Sequence, residues 1–443
     1  MNTTEEFAKF IVDTKLEAMP KPVVERAKEL TLDAIGAAIF GARMPVTTLL
    51  AQYYRRRRGG TGEVTTFGQD FMLPIEDAVL INGTSLHSTE LEAVPMTGEQ
   101  QPAFTTFASL AAAELLGLSG KAVLEGFILG FELHGRLSAN LHGIPARGGW
   151  GCVTGTLGAA AAAAKTMGFN VEQTRMTLGL ASSQAGGLIE HAGTMTHYAE
   201  LGLSINHGII AALWIKEGVT AMQDVIENKK GFCRFYGVDG YDLEEITRGL
   251  GEGSFYITDP GAYIKKYPCC FRTHRALDSV DTLVRENNLT YDDIAEIKVD
   301  ENLYDRSLLK YSEPTTTSEG RFSMEHCLAA MLVDGKVDEN TFSDQKIGAL
   351  KEARRKINVI VHEEWPPERG KSRTPVDIKL NNGKVFSKEL KEPINPPREQ
   401  IIASYKERAK TVLSESNVDR SAQMMLELEK VDKISELTRL LRP

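Results

Sequence analysis

The chain has 443 residues, of which 42% are hydrophobic and 25% are charged, and its formal net charge at pH 7 is -9. These values are typical of a folded globular protein and exclude extensive disorder, collagen-like repeats and long coiled coils. The acidic balance disfavours nucleic acid as a partner, because nucleic-acid binding relies on basic side chains that neutralise phosphates. At this length we expect two domains.

The sequence predicts a cytoplasmic protein that does not enter a membrane. No run of about 18 uncharged apolar residues occurs, which a spanning helix needs. The N-terminal segment MNTTEEFAKF is acidic where a secretory signal is basic. The cysteines lack the paired spacings of zinc motifs, so we expect free thiols and no metal. There are five of them: Cys152, Cys233, Cys269, Cys270 and Cys327.

The first 260 or so residues show the three- and four-residue apolar spacing of helices. Gly41 and Gly117 are typical helix stops within this part of the chain. Segments rich in alanine and glycine predict further helices that pack closely on several sides. The predicted helices include residues 23–40, 103–116, 121–133, 158–164, 178–187 and 207–215.

Between about residues 290 and 395 the apolar period changes to two, which is typical of strands. Strands are predicted at 295–299 and 357–361, and a hairpin is predicted around Asn382-Gly383. From Pro396 onward helices return, at 398–413 and 421–441. We therefore predict a mainly α protein, in which a large all-helical domain of discontinuous sequence, 1–265 and 396–443, is interrupted by a smaller α/β domain, 266–395.

Several common motifs are absent or weak. The four arginines at 55–58 come directly before Gly59-Gly60, where cations complement the negative end of a helix dipole. The glycine-rich segment 149–155 follows no predicted strand, so it does not indicate a dinucleotide site. The chain has no G-x-S-x-G elbow and no G-x-x-x-x-G-K-[ST] loop. Haem, flavin and pyridoxal phosphate have no support, and we expect no cofactor.

Two polar segments of the helical part carry candidate catalytic groups. Glu90 and Glu92 come just after a predicted helix end, where burial can raise the pKa of a carboxyl group and turn it into a base. His197 and Glu200 are three residues apart and share a face if the segment is helical. The alternatives are a solvated helix end for the first pair and a structural core histidine for the second.

One more polar segment lies at the predicted domain boundary, and another lies inside the predicted α/β domain. Residues 265–275 contain five basic side chains at that boundary, where active sites often lie, and two or three of these charges converging there would bind a small carboxylate substrate. The alternative is that most of these side chains face water. Residues 322–327, with sequence FSMEHC, begin an apolar helix that can approach the same cleft.

Taken together, these motifs resemble the MmgE/PrpD family of dehydratases, decarboxylases and epimerases. The resemblance runs almost from end to end of the chain. It includes Asn82-Gly83 with a later His87, Gly155-Thr156-Leu157-Gly158 before the alanine run, Gly193-Thr194-Met195-Thr196, Lys265-Lys266-Tyr267-Pro268-Cys269-Cys270, Phe322-Ser323 and Asn395-Pro396.

The resemblance implies a large helical domain with a smaller α/β lid and a homodimer. It also implies a small-molecule substrate, no metal and no organic cofactor. Family members act on di- and tricarboxylates by proton transfer next to a carboxylate. The catalytic residues implied for this chain are Glu90, His197, Lys265, His274 and His326. The implied substrate-binding residues are Gln101, Arg147, Trp150, Thr196, Glu200, Arg272 and Ser323.

The chain departs from the family pattern at several of these positions. His197 and Glu200 stand where family members usually have lysine and histidine, Gln101 replaces a histidine, and His326 replaces a tyrosine. The exchanges lower the positive charge of the implied pocket and keep it polar. Because a buried tricarboxylate needs cationic partners, we expect a less anionic substrate.

The function predicted from the sequence is a cofactor-independent lyase that removes a proton next to a carbonyl or carboxylate of a small carboxylate or keto compound. Glu90 or His197 is the base, Lys265 and His274 stabilise the enolate, and His326 is a candidate acid. An isomerase or epimerase that uses the same proton transfer is one alternative, and a non-catalytic binding protein is the other. Whether His87, His142, His191 and His207 line the cleft stays open.

Overall fold

The computed structural model describes residues 2–95, 101–144, 148–366 and 371–443. It divides into two compact units. Unit 1 comprises Met1–Glu190, Thr196–Ile264 and Pro397–Pro443, and unit 2 comprises His191–Met195 and Lys265–Pro396. Helices dominate the described chain and the sheets are small. The predicted fold class, mainly α with a smaller α/β part, is confirmed.

The helices follow one another along both units. In chain order they are α1 (Thr3–Asp13), α2 (Lys21–Gly41), α3 (Pro45–Arg58), α4 (Ile75–His87), α5 (Ala103–Leu116), α6 (Gly120–Asn140), α7 (Cys152–Thr166), α8 (Val171–Ser182), α9 (Met195–Lys216), α10 (Phe232–Tyr236), α11 (Leu243–Thr247), α12 (His274–Glu286), α13 (Leu303–Leu308), α14 (Thr317–Gly320), α15 (Met324–Asp334), α16 (Asp344–Ala349), α17 (Lys351–Arg354), α18 (Arg398–Ala409), α19 (Glu415–Leu426) and α20 (Ser435–Thr438).

Most strands are two-residue pairs, and the longer ones belong to unit 2. In chain order they are β1 (Val64–Thr65), β2 (Met72–Leu73), β3 (Val94–Pro95), β4 (Leu141–His142), β5 (Gly240–Tyr241), β6 (Ala262–Tyr263), β7 (Ile294–Asn302), β8 (Ile357–His362), β9 (Val376–Leu380) and β10 (Val385–Lys388). The short pairs in unit 1 are antiparallel: β1 with β2, β3 with β6, and β4 with β5.

Small residues bring the helices of unit 1 close together. α7 is buried along its whole length, as its alanine run predicts. A Cβ atom on Gly130 of α6 would lie 2.7 Å from both the Ala162 Cβ and the Gly158 carbonyl oxygen of α7. The two backbones therefore touch at this point, and no larger residue than glycine fits there without movement.

The C-terminal helices complete unit 1. Tyr405 of α18 is fully buried. A Cβ atom on Gly36 of α2 would lie only 2.9 Å from the Tyr405 Cδ2. Its hydroxyl group lies 2.5 Å from the Ser421 Oγ of α19. The two ends of the chain thus share one hydrophobic core.

Unit 2 is built on a four-stranded sheet with the order β10-β9-β7-β8. β7 and β8 are parallel, with Val299 opposite Val359, and the other neighbours are antiparallel. Residues of β7 and β9 pack with α12 and α15 in a second hydrophobic core. The predicted hairpin connects β9 to β10, and Gly383 supplies the positive φ angle, 87°, at its turn.

Two predicted helices extend five or more residues beyond the observed helix ends. The helix predicted at 178–187 ends at Ser182, and beyond it the Leu188 amide donates a hydrogen bond to Glu200. The helix predicted at 421–441 ends at Leu426. There the Val431 carbonyl accepts from the Gly120 amide and the Ile434 amide donates to the Leu118 carbonyl. Bonds to distant segments take the backbone groups that a continuous helix would use.

Within the described ranges, no single helix combines the length and apolar character needed to cross a membrane. The bent pair α2 and α3, at 79°, passes that test by length and composition alone.

Candidate active site

Seven buried side chains of unit 1 form one polar and aromatic cluster, here called the His197 cluster. They come from the C-terminal end of α4 and the turn after it, from the turn before α7, and from the first turns of α9. The members are His87, Glu90, Glu92, Trp150, His197, Tyr198 and Glu200.

A close approach of two helices positions this cluster. A Cβ atom on Gly83 of α4 would lie 2.8 Å from the Gly202 Cα of α9. A Cβ atom on Gly202 would lie 2.1 Å from the Leu80 carbonyl oxygen. Because neither glycine can grow a side chain without moving a helix, the end of α4 is held beside the start of α9. His87 lies about one turn after Gly83 on α4, and His197 lies about one turn before Gly202 on α9.

Glu90 has a left-handed backbone, with a φ angle of 54°. α4 ends at His87, and the Glu90 amide donates a hydrogen bond to the His87 carbonyl, 3.0 Å away. Non-glycine residues rarely adopt this conformation, and strained residues of this kind concentrate at functional sites. The turn places the Glu90 carboxylate inside the protein, where it is 3% exposed.

Glu200 is held in place by two hydrogen bonds. The Trp150 Nε1–H donates to its Oε2 and the Leu188 amide donates to its Oε1, each at 2.9 Å. The same Oε2 lies 3.7 Å from the His197 Nδ1. The spacing of three residues on α9 therefore brings His197 and Glu200 together on one face, as predicted.

Each histidine of the cluster has carboxylates close to its ring. The His197 Nε2 lies 4.0 Å from the Glu90 Oε1, on the side of the ring away from Glu200. The His87 Nδ1 lies 3.3 Å from the Glu92 Oε2, and both of these side chains are 2% exposed.

Aromatic rings enclose the histidines. The His87 ring stacks on the Trp150 ring, with centroids 5.2 Å apart and an interplanar angle of 17°. The His197 ring lies 4.7 Å from Trp150, 4.8 Å from His87 and 6.1 Å from Tyr198. Apolar ring faces of this kind keep water away from the polar atoms and strengthen their electrostatic interactions.

Burial sets the protonation of the cluster. Burial lowers the pKa of His197, and the nearby Glu200 opposes this shift only in part. Burial by itself would raise the pKa of Glu200, but His197, the Leu188 amide and Trp150 together bring it below its ordinary value. A neutral imidazole next to an ionised carboxylate is the state of a general base that is ready to accept a proton.

The structure places the other predicted residues of unit 1 as follows. Gln101 is buried just before α5, and Thr196 is exposed at the start of α9. Trp150 belongs to the His197 cluster through its bond to Glu200. Arg147 lies outside the described residues.

Lys265, His274 and Arg272 all belong to unit 2. Lys265 is 2% exposed. The His274 Nε2 lies 3.4 Å from the Cys269 carbonyl oxygen, and its ring packs against Tyr267. Arg272 forms a buried ion pair with Asp305 at 2.8 Å.

His326 and Ser323 have structural partners within unit 2. The Ser323 Oγ accepts a hydrogen bond from the His326 amide at the start of α15, at 3.0 Å. The His326 Nε2 lies 2.9 Å from the Thr341 carbonyl oxygen, and its Nδ1 lies 3.3 Å from Arg354. Burial lowers the pKa of His326 to about 4, against the opposing effect of the Thr341 bond. This setting disfavours the protonated imidazole that a general acid needs.

Sequence reasoning missed Tyr198 as a site residue; it named Glu92 beside Glu90 as a candidate without giving it a role, and it left His87 open. His87 lies three residues before Glu90, and that spacing was the available signal. Of the other histidines left open, His142 is exposed and His191 is partly exposed. The His207 Nδ1 lies 3.1 Å from the Gln184 carbonyl oxygen.

One part of the cluster has the composition of a metal site. His87, Glu90 and His197 each have a donor atom, and these three atoms lie within 4.8 Å of one another. All five cysteines, which lie in described parts of the chain, are buried, and none of them forms a disulfide bond.

Comparisons with known proteins cover nearly the whole chain. Residues 5–244 match the MmgE/PrpD N-terminal domain, and residues 267–430 match the MmgE/PrpD C-terminal domain. The chain is 26% identical to a cis-aconitate decarboxylase of Mus musculus in an alignment of 465 positions that covers 100% of this chain and 93% of that protein. It is 27% identical to a cis-aconitate decarboxylase of Aspergillus terreus in an alignment of 472 positions that covers 99% of this chain and 95% of that protein.

Proposed function

The chain belongs to the MmgE/PrpD family, and from this premise we propose that it is a lyase acting on a small carboxylate or keto compound. The curated relatives in the comparison are decarboxylases by name, which supports chemistry that makes or breaks bonds next to a carboxylate. The observation that carries the proposal is the setting of His197, with Glu90 4.0 Å from one ring nitrogen and Glu200 3.7 Å from the other.

We assign the base to the pair of His197 and Glu90. His197 Nε2 removes a proton from the carbon next to the carbonyl or carboxylate, and the C–H electron pair moves into an enolate. The enolate electrons then form the new double bond as the bond to the leaving group breaks. A hydroxyl leaving group takes a proton from the pair and departs as water. When carbon dioxide is lost instead, no C–H proton is removed: the electrons of the C–C bond form the enolate as CO₂ departs, and the enolate carbon takes a proton from the pair. Glu200 stabilises the imidazolium that forms in the first step.

Lys265 and His274 are assigned to the enolate oxygen on the resemblance to the family. Fixed cations act most strongly where negative charge develops during a reaction. His326 is left out of this scheme, because its ring nitrogens lie against Thr341 and Arg354.

The charge of the His197 cluster indicates the substrate class. Glu90, Glu92 and Glu200 are three buried carboxyl groups in one small region. A substrate with three carboxylates would repel them at short range in a low-dielectric site. We therefore propose a substrate with one carboxylate or with a ketone in its place.

A ligand screen followed by product analysis tests this function. A panel of small acids and ketones is screened by thermal shift, and each compound that stabilises the protein is incubated with it in D₂O and followed by mass spectrometry and NMR. We expect a product that has lost water or carbon dioxide. His197→Gln and Glu90→Gln are each expected to slow its formation by about 10²–10⁴-fold. His142→Gln, at an exposed position, is the matched control and keeps the wild-type rate.

Two outcomes contradict the proposal. Deuterium in the recovered substrate without loss of any group shows an isomerase or epimerase instead. Turnover that His197→Gln and Glu90→Gln leave unchanged removes the His197 cluster from the chemistry.

A further inference from the structure

Three members of the His197 cluster together provide atoms of the kind that bind metal ions. The proposed proton transfer does not need all three of these side chains. His87, Glu90 and His197 each offer one donor within 4.8 Å of the other two, and all three residues are buried. Two imidazoles and one carboxylate are a donor set found in catalytic zinc sites, where three protein ligands leave the fourth position open.

The surroundings of the two histidines match those of metal ligands. Metal-binding histidines commonly have a carboxylate at the ring nitrogen that does not touch the ion. Here Glu92 lies 3.3 Å from the His87 Nδ1, and Glu200 lies 3.7 Å from the His197 Nδ1. In both rings this leaves Nε2 as the nitrogen for an ion, and the His197 Nε2 is the atom that faces Glu90.

The outer carboxylate of His197 is itself held in position. Glu200 accepts one hydrogen bond from Trp150 and another from the Leu188 amide. Glu90 lies in a turn with a left-handed backbone and is 3% exposed, so protein atoms surround nearly all of its side chain. Restrained ligands with an ordered outer layer lose little freedom when an ion binds.

We propose that His87, Glu90 and His197 form a binding site for a divalent transition-metal ion of the zinc class, with one coordination position open to water or to a substrate oxygen. Donors around tetrahedral zinc lie about 3.4 Å apart, so binding draws these three side chains together by about 1.4 Å at most.

This inference goes beyond the proposed function and differs from the sequence-based expectation of no metal. An ion bound at this site has Glu90 and His197 as ligands. The cluster therefore has two alternative states: one with the ion bound, and one in which His197 and Glu90 are available as the base. Binding is measured without any substrate. Failure of the metal site therefore leaves the lyase proposal standing, and failure of the lyase proposal leaves the metal site standing.

Cobalt and zinc binding to the full chain test the site. The protein is stripped with a chelator, dialysed into buffer and titrated with Co²⁺, whose visible absorption is strong when the ion is four- or five-coordinate with low symmetry. We expect such bands to saturate at about one Co²⁺ per chain and to disappear when Zn²⁺ is added. Zinc that stays with the protein through gel filtration is then counted by elemental analysis. These wild-type measurements need no variant to fold.

Variants then assign the ligands. Glu92→Gln, which alters only an outer carboxylate, is expected to weaken Zn²⁺ binding by about 10–100-fold, and Glu90→Gln by at least as much. His142→Gln is the matched control, because it removes an exposed histidine of the same unit and leaves binding unchanged. The proposal is overturned if wild-type protein shows no saturable Co²⁺ bands, or if Glu90→Gln binds Zn²⁺ as tightly as the control.

Discussion

His134 is a histidine that the fold keeps uncharged. It lies on α6, fully buried, with the rings of Phe104 and Phe131 at 5.2 and 6.4 Å. Burial lowers its pKa to about 3, against the smaller opposing effect of the nearby Gly151 backbone. The unfolded chain has the ordinary pKa of about 6.5 and so binds the proton first. The contribution of His134 to stability is therefore complete above about pH 6.5 and is lost as the pH falls toward 3.

This titration predicts a measurable loss of stability in mild acid. Between pH 7 and pH 5 the neutral state of His134 accounts for a fall of up to about 2 kcal/mol in the free energy of unfolding. In His134→Leu that part of the pH dependence is absent. Urea unfolding of both proteins at the two pH values measures the difference, and His142→Leu serves as the exposed control. Equal pH dependence in wild type and His134→Leu would contradict the assignment.

The contact of α6 with α7 depends on glycine. Added methyl groups at Gly130 would meet the Ala162 side chain and the Gly158 backbone at 2.7 Å. Since α7 is buried on all sides, it has no free space into which to move. The same argument applies to α4 and α9 at Gly202, where a shift would also separate His197 from Glu90.

Gly130→Ala is expected to lower the free energy of unfolding by about 1–3 kcal/mol, because it overpacks this contact. Gly348→Ala is the control on α16, where an added Cβ meets no atom within 4 Å. There the higher helix propensity of alanine is expected to raise stability, by up to about 1 kcal/mol. Denaturant unfolding of both variants measures the two changes in the free energy of unfolding. If Gly130→Ala and Gly348→Ala both raise it, helix propensity, and not steric overlap, determines the effect at Gly130.

At the scale of the whole molecule, unit 1 is assembled from distant parts of the chain. Residues 397–443 bring α18 and α19 against α2, with Tyr405 buried beside Gly36. Unit 2 lies between these parts in sequence and has a hydrophobic core of its own. The stability of unit 1 therefore depends on contacts that only the complete chain can make.

Tyr405→Ala tests this closure. Loss of a large buried aromatic ring is expected to cost about 3–5 kcal/mol of unfolding free energy. Tyr405→Phe keeps the ring and removes only the hydroxyl group beside Ser421, at a cost of about 0.5–1.5 kcal/mol. Thermal and urea unfolding of the full chain compare the two. A cost for Tyr405→Ala no greater than that for Tyr405→Phe would mean that the C-terminal segment adds little to unit 1.

The sequence by itself determined the local features of this protein. Apolar periodicity identified most of the longer helices and the strands of unit 2, because backbone geometry alone relates spacing to structure, and the Asn382-Gly383 pair identified the turn. It also placed Glu90 just after a helix end and put His197 and Glu200 on one face of α9. These relations extend over only a few residues.

Only the tertiary structure decided what surrounds those residues. Trp150 reaches Glu200 across 50 positions of sequence, and His87 meets His197 across more than 100. The tertiary structure also ended two predicted helices early, and in the second of them the Val431 carbonyl and the Ile434 amide bond to the distant residues Gly120 and Leu118. It turned His326 toward the Thr341 carbonyl oxygen. The reason is physical. Packing and hydrogen bonding between distant segments depend on the relative positions of the helices, and the apolar spacing within each helix does not specify those positions.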